Sequence, residues 1–134
     1  MTAVEVDPDL ARQLAERLAG SNVTVVEADA TVLPFPDDHF SAAICLTMLH
    51  HVPTVKAQDQ LLSELARVVR AGGPIVGSDS LDNPDFGAFH EGDVCVPLDP
   101  NGLAERLERL GMRDVVVETN PYAFKFVGYS ARPH

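Results

Sequence analysis

The sequence predicts an α/β fold built on a mostly parallel sheet. Three observations carry this expectation. Strand-like and helix-like segments alternate along the chain, which is the pattern of βαβ units. An Asp-Pro pair stands ahead of two apolar helical stripes, at Asp7-Pro8 and at Asp99-Pro100. The last two strand-like runs are joined only by Thr119-Asn120-Pro121. That link is too short for a crossover, so these two strands pair antiparallel.

The elements follow in order. Ala3–Val6 reads as a short strand. Asp7 offers a side-chain oxygen as N-cap, and Pro8 suits the first helical position, where no N–H is needed. Leu10, Leu14 and Leu18 come at helical spacing, and Gly20 suits the position after a helix end. Val23–Val26 is a β-branched strand ending at Glu27-Ala28-Asp29. The turn formers Leu33-Pro34-Phe35-Pro36-Asp37-Asp38 lead into an apolar run from Phe40 to Leu46, read as a strand buried on both faces. Val55–Arg70 reads as a helix with Leu61, Leu65, Val68 and Val69 inward. Arg67 and Arg70 suit the negative end of its dipole, and Gly72-Gly73 stops it. Pro74–Ser78 is the next strand, and residues 81–97 show no periodicity. Asp99 then reads as an N-cap with Pro100 at the first helical position, ahead of Leu103, Leu107 and Leu110. Val115–Val117 and Tyr122–Arg132 are the last two strands. The order is β-α-β-β-α-β-α-β-β, expected to form one domain over residues 1–134.

Composition narrows the function. Of 134 residues, 20 are acidic and 10 are basic, for a net charge of −10. The basic residues are scattered and form no stripe with interleaved aromatics. This argues against a nucleic-acid partner and for a small molecule. No apolar run reaches the roughly 20 residues of a membrane span, and no secretory signal opens the chain, so the expected compartment is the cytoplasm. Cys45 and Cys95 are far apart and lie in no metal-ligand cluster, so both are read as structural. No metal is expected.

In an open parallel sheet, ligands bind at the C-terminal ends of the strands. Glu5, Asp7 and Asp29 occupy such ends. Asp7 has a ready explanation as a helix cap. Asp29 can serve as a turn residue or as a ligand. Glu5, between two valines in a strand, calls for a function.

The segment Asp29-Ala30-Thr31-Val32-Leu33-Pro34-Phe35-Pro36-Asp37-Asp38-His39-Phe40 resembles the D-A-x-x-L-P-F-x-D-x-x-F signature of class I S-adenosylmethionine (SAM)-dependent methyltransferases. Val4-Glu5-Val6-Asp7-Pro8 resembles the end of their second strand. Leu49-His50-His51-Val52 resembles the loop after their fourth strand. Glu64-Leu65-Ala66-Arg67-Val68-Val69-Arg70-Ala71-Gly72-Gly73 resembles the helix and turn before their fifth. The four segments stand in the right order and spacing. The resemblance implies a Rossmann-like methyltransferase sheet, mostly parallel, with a C-terminal antiparallel hairpin. It implies SAM as cofactor and a small-molecule methyl acceptor as partner. It places Glu5 on the ribose hydroxyls and Asp29 on the adenine amino group, with the Ala30 N–H facing the ring. It lets Val6 and Leu33 flank the adenine, and sets Leu46 and Thr47 beside the methionine portion. His50 and His51 fall where some relatives place substrate-facing groups, with an ordinary loop histidine as the alternative.

The chain departs from the pattern in one respect. The family's first strand and glycine-rich loop precede the residues matching Val4, and no G-x-G-x-G pattern occurs in this sequence. The resemblance places that strand at the centre of the sheet. Its absence implies a slot about two strand spacings wide, near 9.6 Å, between unpaired edges. Three outcomes are open: closure of the edges, filling of the slot by another chain in a homo-oligomer, or a start assigned within a longer reading frame. The expected function is SAM-dependent methyl transfer. The alternative is an inactive methyltransferase-fold remnant or oligomeric interaction module. Another Rossmann-like nucleotide-binding family is a weaker rival, against which the Leu-Pro-Phe segment argues.

Overall fold

In the computed structural model, β1 (Thr2–Glu5) pairs parallel with β2 (Thr24–Glu27), from Thr2 opposite Thr24 to Glu5 opposite Glu27. A second sheet holds four strands. β3 (Ala43–Leu46) lies parallel to β4 (Pro74–Ser80). β6 (Ala123–Ser130) lies antiparallel to β4, and β5 (Met112–Thr119) antiparallel to β6. The sheet orders are β1-β2 and β3-β4-β6-β5. Among the described residues, three helices connect them: α1 (Pro8–Arg17), α2 (Val55–Val68) and α3 (Leu103–Arg109). The structure describes residues 1–46, 49, 52–80 and 98–131. Thr47, His50, His51 and Cys95 lie outside the described residues, as does the 81–97 stretch. The order of elements is the one the sequence predicts.

The two sheets meet at a break. No ladder joins β1 to β3. The crossover through α1 moves from β1 outward to β2. The crossover through α2 moves from β3 outward to β4, in the opposite direction. Parallel crossovers are right-handed, so opposite directions put the two helices on opposite faces. The core lies on the α2 face. It joins Leu61, Leu62, Ala66 and Val68 of α2 to Leu103 and Leu107 of α3, and to Ile75, Met112, Phe124 and Phe126 of the sheet. Among the described residues, no helix is long and apolar enough to cross a membrane.

Local chemistry explains the boundaries. Asp7 caps α1 by accepting from the Asp9 and Leu10 amides at 2.9 and 3.0 Å, with Pro8 following it. Thr54 caps α2 by accepting from the Ala57 amide. The hairpin turn is held by Asn120, whose Oδ1 accepts from the Tyr122 and Ala123 amides.

Five expectations need correction. The Phe40–Leu46 run is strand only from Ala43, and Phe40 makes an isolated bridge to Val69. Nor is that strand buried on both faces: Cys45 is 3% exposed, but Ile44 is 67% and Leu46 57% exposed. β3 is an edge strand with only one face against the core. α2 ends at Val68, because Val69 turns extended (φ −88, ψ 131) to meet Phe40. α3 starts at Leu103 after Gly102 in the left-handed region (φ +79), so Asp99 caps the Asn101 amide of a preceding turn instead of the helix. The stripe on α1 is also less buried than its spacing implies; Leu10 is 52% exposed and only Ala11 is buried.

Gly77 fits β4 because the Phe126 ring lies on it. A Cβ there would come within 2.3 Å of Phe126 Cε1. Phe126 is fully buried and cannot swing aside. Gly77→Ala is therefore expected to destabilise the fold by about 1–3 kcal/mol through overpacking, read as a lower urea midpoint. Wild-type stability in that variant would show that the ring can yield. Cys45 supplies a second check. Burial, with the Asp79 charge adding to it, pushes its thiol up to about 12. In a Cys95→Ser background, iodoacetamide at pH 8 should leave the native protein unlabelled and label it after denaturation. Rapid native labelling would contradict the burial of β3's inner face.

Candidate functional site at the sheet break

The break is a topological switch point, where successive crossovers diverge to the two sides. Such points open a crevice at the C-terminal ends of the strands, and ligands of open α/β sheets bind there. β1 ends at Glu5, β2 at Glu27 and β3 at Leu46, so the residues just beyond these ends form the candidate site.

Glu5 closes β1 and accepts a weak hydrogen bond from the Asp7 amide at 3.3 Å. Parallel register sets it opposite Glu27, so two carboxylates end adjacent strands. Val6 follows, 64% exposed, an apolar side chain at the mouth of the break. Asp7 is occupied as the cap of α1.

Asp29 stands two residues past β2. Its Oδ1 accepts from the Thr31 amide at 2.9 Å and the Thr31 hydroxyl at 2.8 Å. These bonds, the backbone one first, hold its carboxyl below the usual carboxylate range. Asp29 thus builds a turn and stays ionised. The turn presents Ala30, whose N–H has no hydrogen-bond partner among the described residues. Ala30 is half-buried and packed against the core. Leu33 does not line the crevice. It is 7% exposed and belongs to the core, which corrects its expected place beside the adenine. Leu46 ends β3 with its side chain 57% exposed. The structure thus places Glu5, Val6, Asp29, Ala30 and Leu46 at or just past strand ends beside the break.

What fixes the Asp29 loop is a set of three side chains on α2. Arg67 Nη1 donates to the Phe35 carbonyl at 2.8 Å and to Asp37 Oδ1 at 2.9 Å. Its Nη2 donates to the Leu33 carbonyl at 3.1 Å. Glu64 accepts from Arg67 Nε at 2.8 Å and from the Leu33 amide at 2.8 Å. Gln60 Nε2 donates to the Thr31 carbonyl at 2.9 Å. Sequence reasoning assigned Arg67 only a dipole role and missed this clamp. The signal available was the Glu64–Arg67 spacing of one helical turn, next to a loop whose prolines prevent it from pairing its own backbone.

Comparison with known proteins bears on the fold and the family. The family described as a methyltransferase domain matches residues 1–77. A ubiquinone/menaquinone biosynthesis C-methyltransferase of Hahella chejuensis is 38% identical over 64 residues, 48% of this chain and 24% of that protein. The corresponding protein of Pseudomonas putida strain GB-1 is 34% identical over the same length and shares. The chain therefore spans about a quarter of the length of these relatives. Among solved structures, a SAM-dependent methyltransferase of Methanosarcina mazei superposes with a TM-score of 0.79 at 14% identity, over 98% of this chain and 82% of that one. A Pyrococcus horikoshii protein gives 0.78 at 18% identity, over 97% and 73%. These likenesses establish the fold.

The clamp carries a testable consequence. Arg67 hydrogen bonds hold the Glu64 carboxyl below its usual range, against the opposing effect of burial. A depressed carboxyl adds stability above its unfolded pKa, ~4.3, and loses it as pH falls through the folded value. Arg67→Ala should cost about 2 kcal/mol near neutral pH, after discounting partly exposed bonds. Arg67→Lys should recover little, because an ammonium lacks the planar fork. The gap between wild type and Arg67→Ala should narrow below about pH 4. A gap independent of pH in urea titrations would remove the Glu64 pair from the account.

With its ordered motifs, its strand-end site and a family match over more than half its length, the chain belongs to the methyltransferase-domain family, whose cofactor is SAM.

Proposed function

We propose that this chain carries the nucleoside half of a SAM site and serves methyl transfer to a small-molecule acceptor. The observation that supports it is the meeting of Glu5, Val6 and the Asp29–Ala30 turn at the switch point. The chemistry of this donor set fits the adenosine portion. A carboxylate at a strand end can accept from both ribose hydroxyls. An ionised Asp29 can accept from an adenine amino group, and the Ala30 N–H, without a partner among the described residues, can donate to a ring nitrogen. Val6 gives the ring an apolar neighbour. Leu46 ends β3 on the side that the resemblance assigns to the methionine portion. No glycine-rich turn in the sequence corresponds to the family's grip on the amino-acid end.

When bound, SAM supplies an electrophilic methyl group on its sulfonium. That group would be open to displacement by the acceptor's nucleophilic atom. The chain's residues orient the nucleoside, and catalysis through orientation rests on positioning of this kind. His50 and His51 are proposed to face the acceptor, where a histidine can take up its proton. The relatives are by name ubiquinone/menaquinone biosynthesis C-methyltransferases, which favours a carbon-nucleophile acceptor.

The alternative reading is an inactive methyltransferase-fold remnant or interaction module.

Calorimetry with SAM, S-adenosylhomocysteine and adenosine separates the two readings. The nucleoside-half reading expects all three to bind with affinities within about tenfold of one another, a spread of 1.4 kcal/mol. Glu5→Ala should weaken each by about tenfold or more, as for a lost charge-assisted hydrogen bond. No binding of any of the three up to millimolar concentration would leave only the remnant.

A further inference from the structure

The turn that carries Asp29 and Ala30 is held from two sides, and the two holds meet at Thr31. From within the turn, Thr31 gives Asp29 two donors. Its backbone N–H and its hydroxyl both bond Asp29 Oδ1, at 2.9 and 2.8 Å. The Val32 amide closes the turn on the Asp29 carbonyl at 3.0 Å. The second carboxylate oxygen, Oδ2, has no hydrogen-bond partner among the described residues. From outside, Gln60 of α2 donates to the Thr31 carbonyl at 2.9 Å.

Gln60 belongs to a series. Gln60, Glu64 and Arg67 stand at i, i+4 and i+7 on one face of α2. Gln60 bonds the carbonyl of Thr31, and Arg67 those of Leu33 and Phe35, so alternate residues of the loop are pinned in turn. Glu64 takes the Leu33 amide between them. Gln60 is the member of the series that reaches the residue bonding Asp29.

These bonds orient the carboxylate. The χ2 torsion of an aspartate is broad, so a lone carboxylate turns readily. Two donors on one oxygen fix that torsion and leave the other oxygen for a ligand. The Thr31 N–H belongs to the peptide that follows Ala30, so its bond also limits how the Ala30 N–H can turn. A fixed acceptor beside a fixed donor reads the edge of a purine. Adenine presents an amino donor and a ring-nitrogen acceptor. Hypoxanthine presents the reverse, an oxygen acceptor and a ring N–H donor. Against Asp29 and the Ala30 N–H, hypoxanthine leaves both pairs unmade, and unpaired polar groups are what reject a near-isostere.

Resting on the nucleoside reading proposed above, we infer that Thr31 and Gln60 are positioning residues that set the site's preference for adenine over other purine bases. Neither touches the base. The Thr31 hydroxyl acts through the Asp29 carboxylate, and Gln60 acts through the Thr31 carbonyl.

Calorimetric titration of adenosine, purine riboside and inosine into the wild type and three variants tests this. Purine riboside lacks the amino group, and inosine reverses the donor and the acceptor. The wild type should bind adenosine about tenfold more tightly than purine riboside, as for a hydrogen bond to a charged acceptor, and inosine more weakly still. Thr31→Val replaces the hydroxyl with a methyl, and Gln60→Leu removes the amide donor. Each should narrow the adenosine-to-purine-riboside ratio by about threefold or more. Thr31→Ser keeps a hydroxyl and should restore the ratio. A general loss of structure would weaken all three nucleosides together and leave the ratio unmoved. The wild-type ratio kept in Thr31→Val or in Gln60→Leu would overturn the inference for that residue. A ratio lost equally in Thr31→Ser, or a wild type that binds all three nucleosides alike, would overturn it while the nucleoside reading stays intact. A wild type that binds none of them up to millimolar concentration would overturn that reading and this inference with it.

Discussion

The Arg67 guanidinium holds the loop that joins the two sheets of this molecule. β1 and β2 share no ladder with the other four strands. Their placement depends on Val4 and Ala30 packing against the core, and on the chain that runs from Asp29 to Phe40. That chain contains Pro34 and Pro36, which donate no backbone hydrogen bonds and keep it from forming a regular element. Its polar groups need partners from elsewhere. Arg67 meets the carbonyls of Leu33 and Phe35 and the carboxylate of Asp37, and Glu64 meets the Leu33 amide. The planar fork of arginine suits such a task, because one rigid group serves several acceptors at fixed angles.

The same helix governs the other side of the crevice. Gln58, fully buried on α2, donates from Nε2 to the Leu49 carbonyl at 3.1 Å, just past β3. Its Oε1 accepts from Arg106 of α3 at 3.1 Å, and Arg106 also pairs with Asp59. α2 therefore supports both the loop after β2 and the loop after β3. The first carries Asp29 and Ala30, and the second follows Leu46.

Much of this was readable from residues. Asp7-Pro8 fixed the start of α1, because an Asx cap and a proline act through local geometry alone. The link at Asn120 fixed the antiparallel hairpin for the same reason. The strand-end carboxylates were also readable, since a Glu flanked by valines breaks the apolar pattern. Features that depend on distant partners were not. The apolar run at Phe40–Leu46 looks like a buried strand, yet whether its outer face is covered depends on what lies opposite. The Asp99-Pro100 pair repeats the α1 device, but Gly102 two residues on adopts positive φ and delays the helix. Arg67 sits where a dipole cation belongs, and its loop contacts, some 30 residues away in sequence, leave no local trace. Asp29 shows both behaviours. Its turn with Thr31 follows from local chemistry, whereas its position beside Glu5 required the parallel pairing of β1 and β2.

The break between β1 and β3 also accounts for the two apolar residues of β3 that stay exposed. Successive crossovers diverge there, and no ladder joins β1 to β3. Ile44 and Leu46 therefore lie on an edge strand, on the face opposite the core side chain Cys45, 67% and 57% exposed. Leu46 adds its place at the strand end, where ligands of open α/β sheets bind.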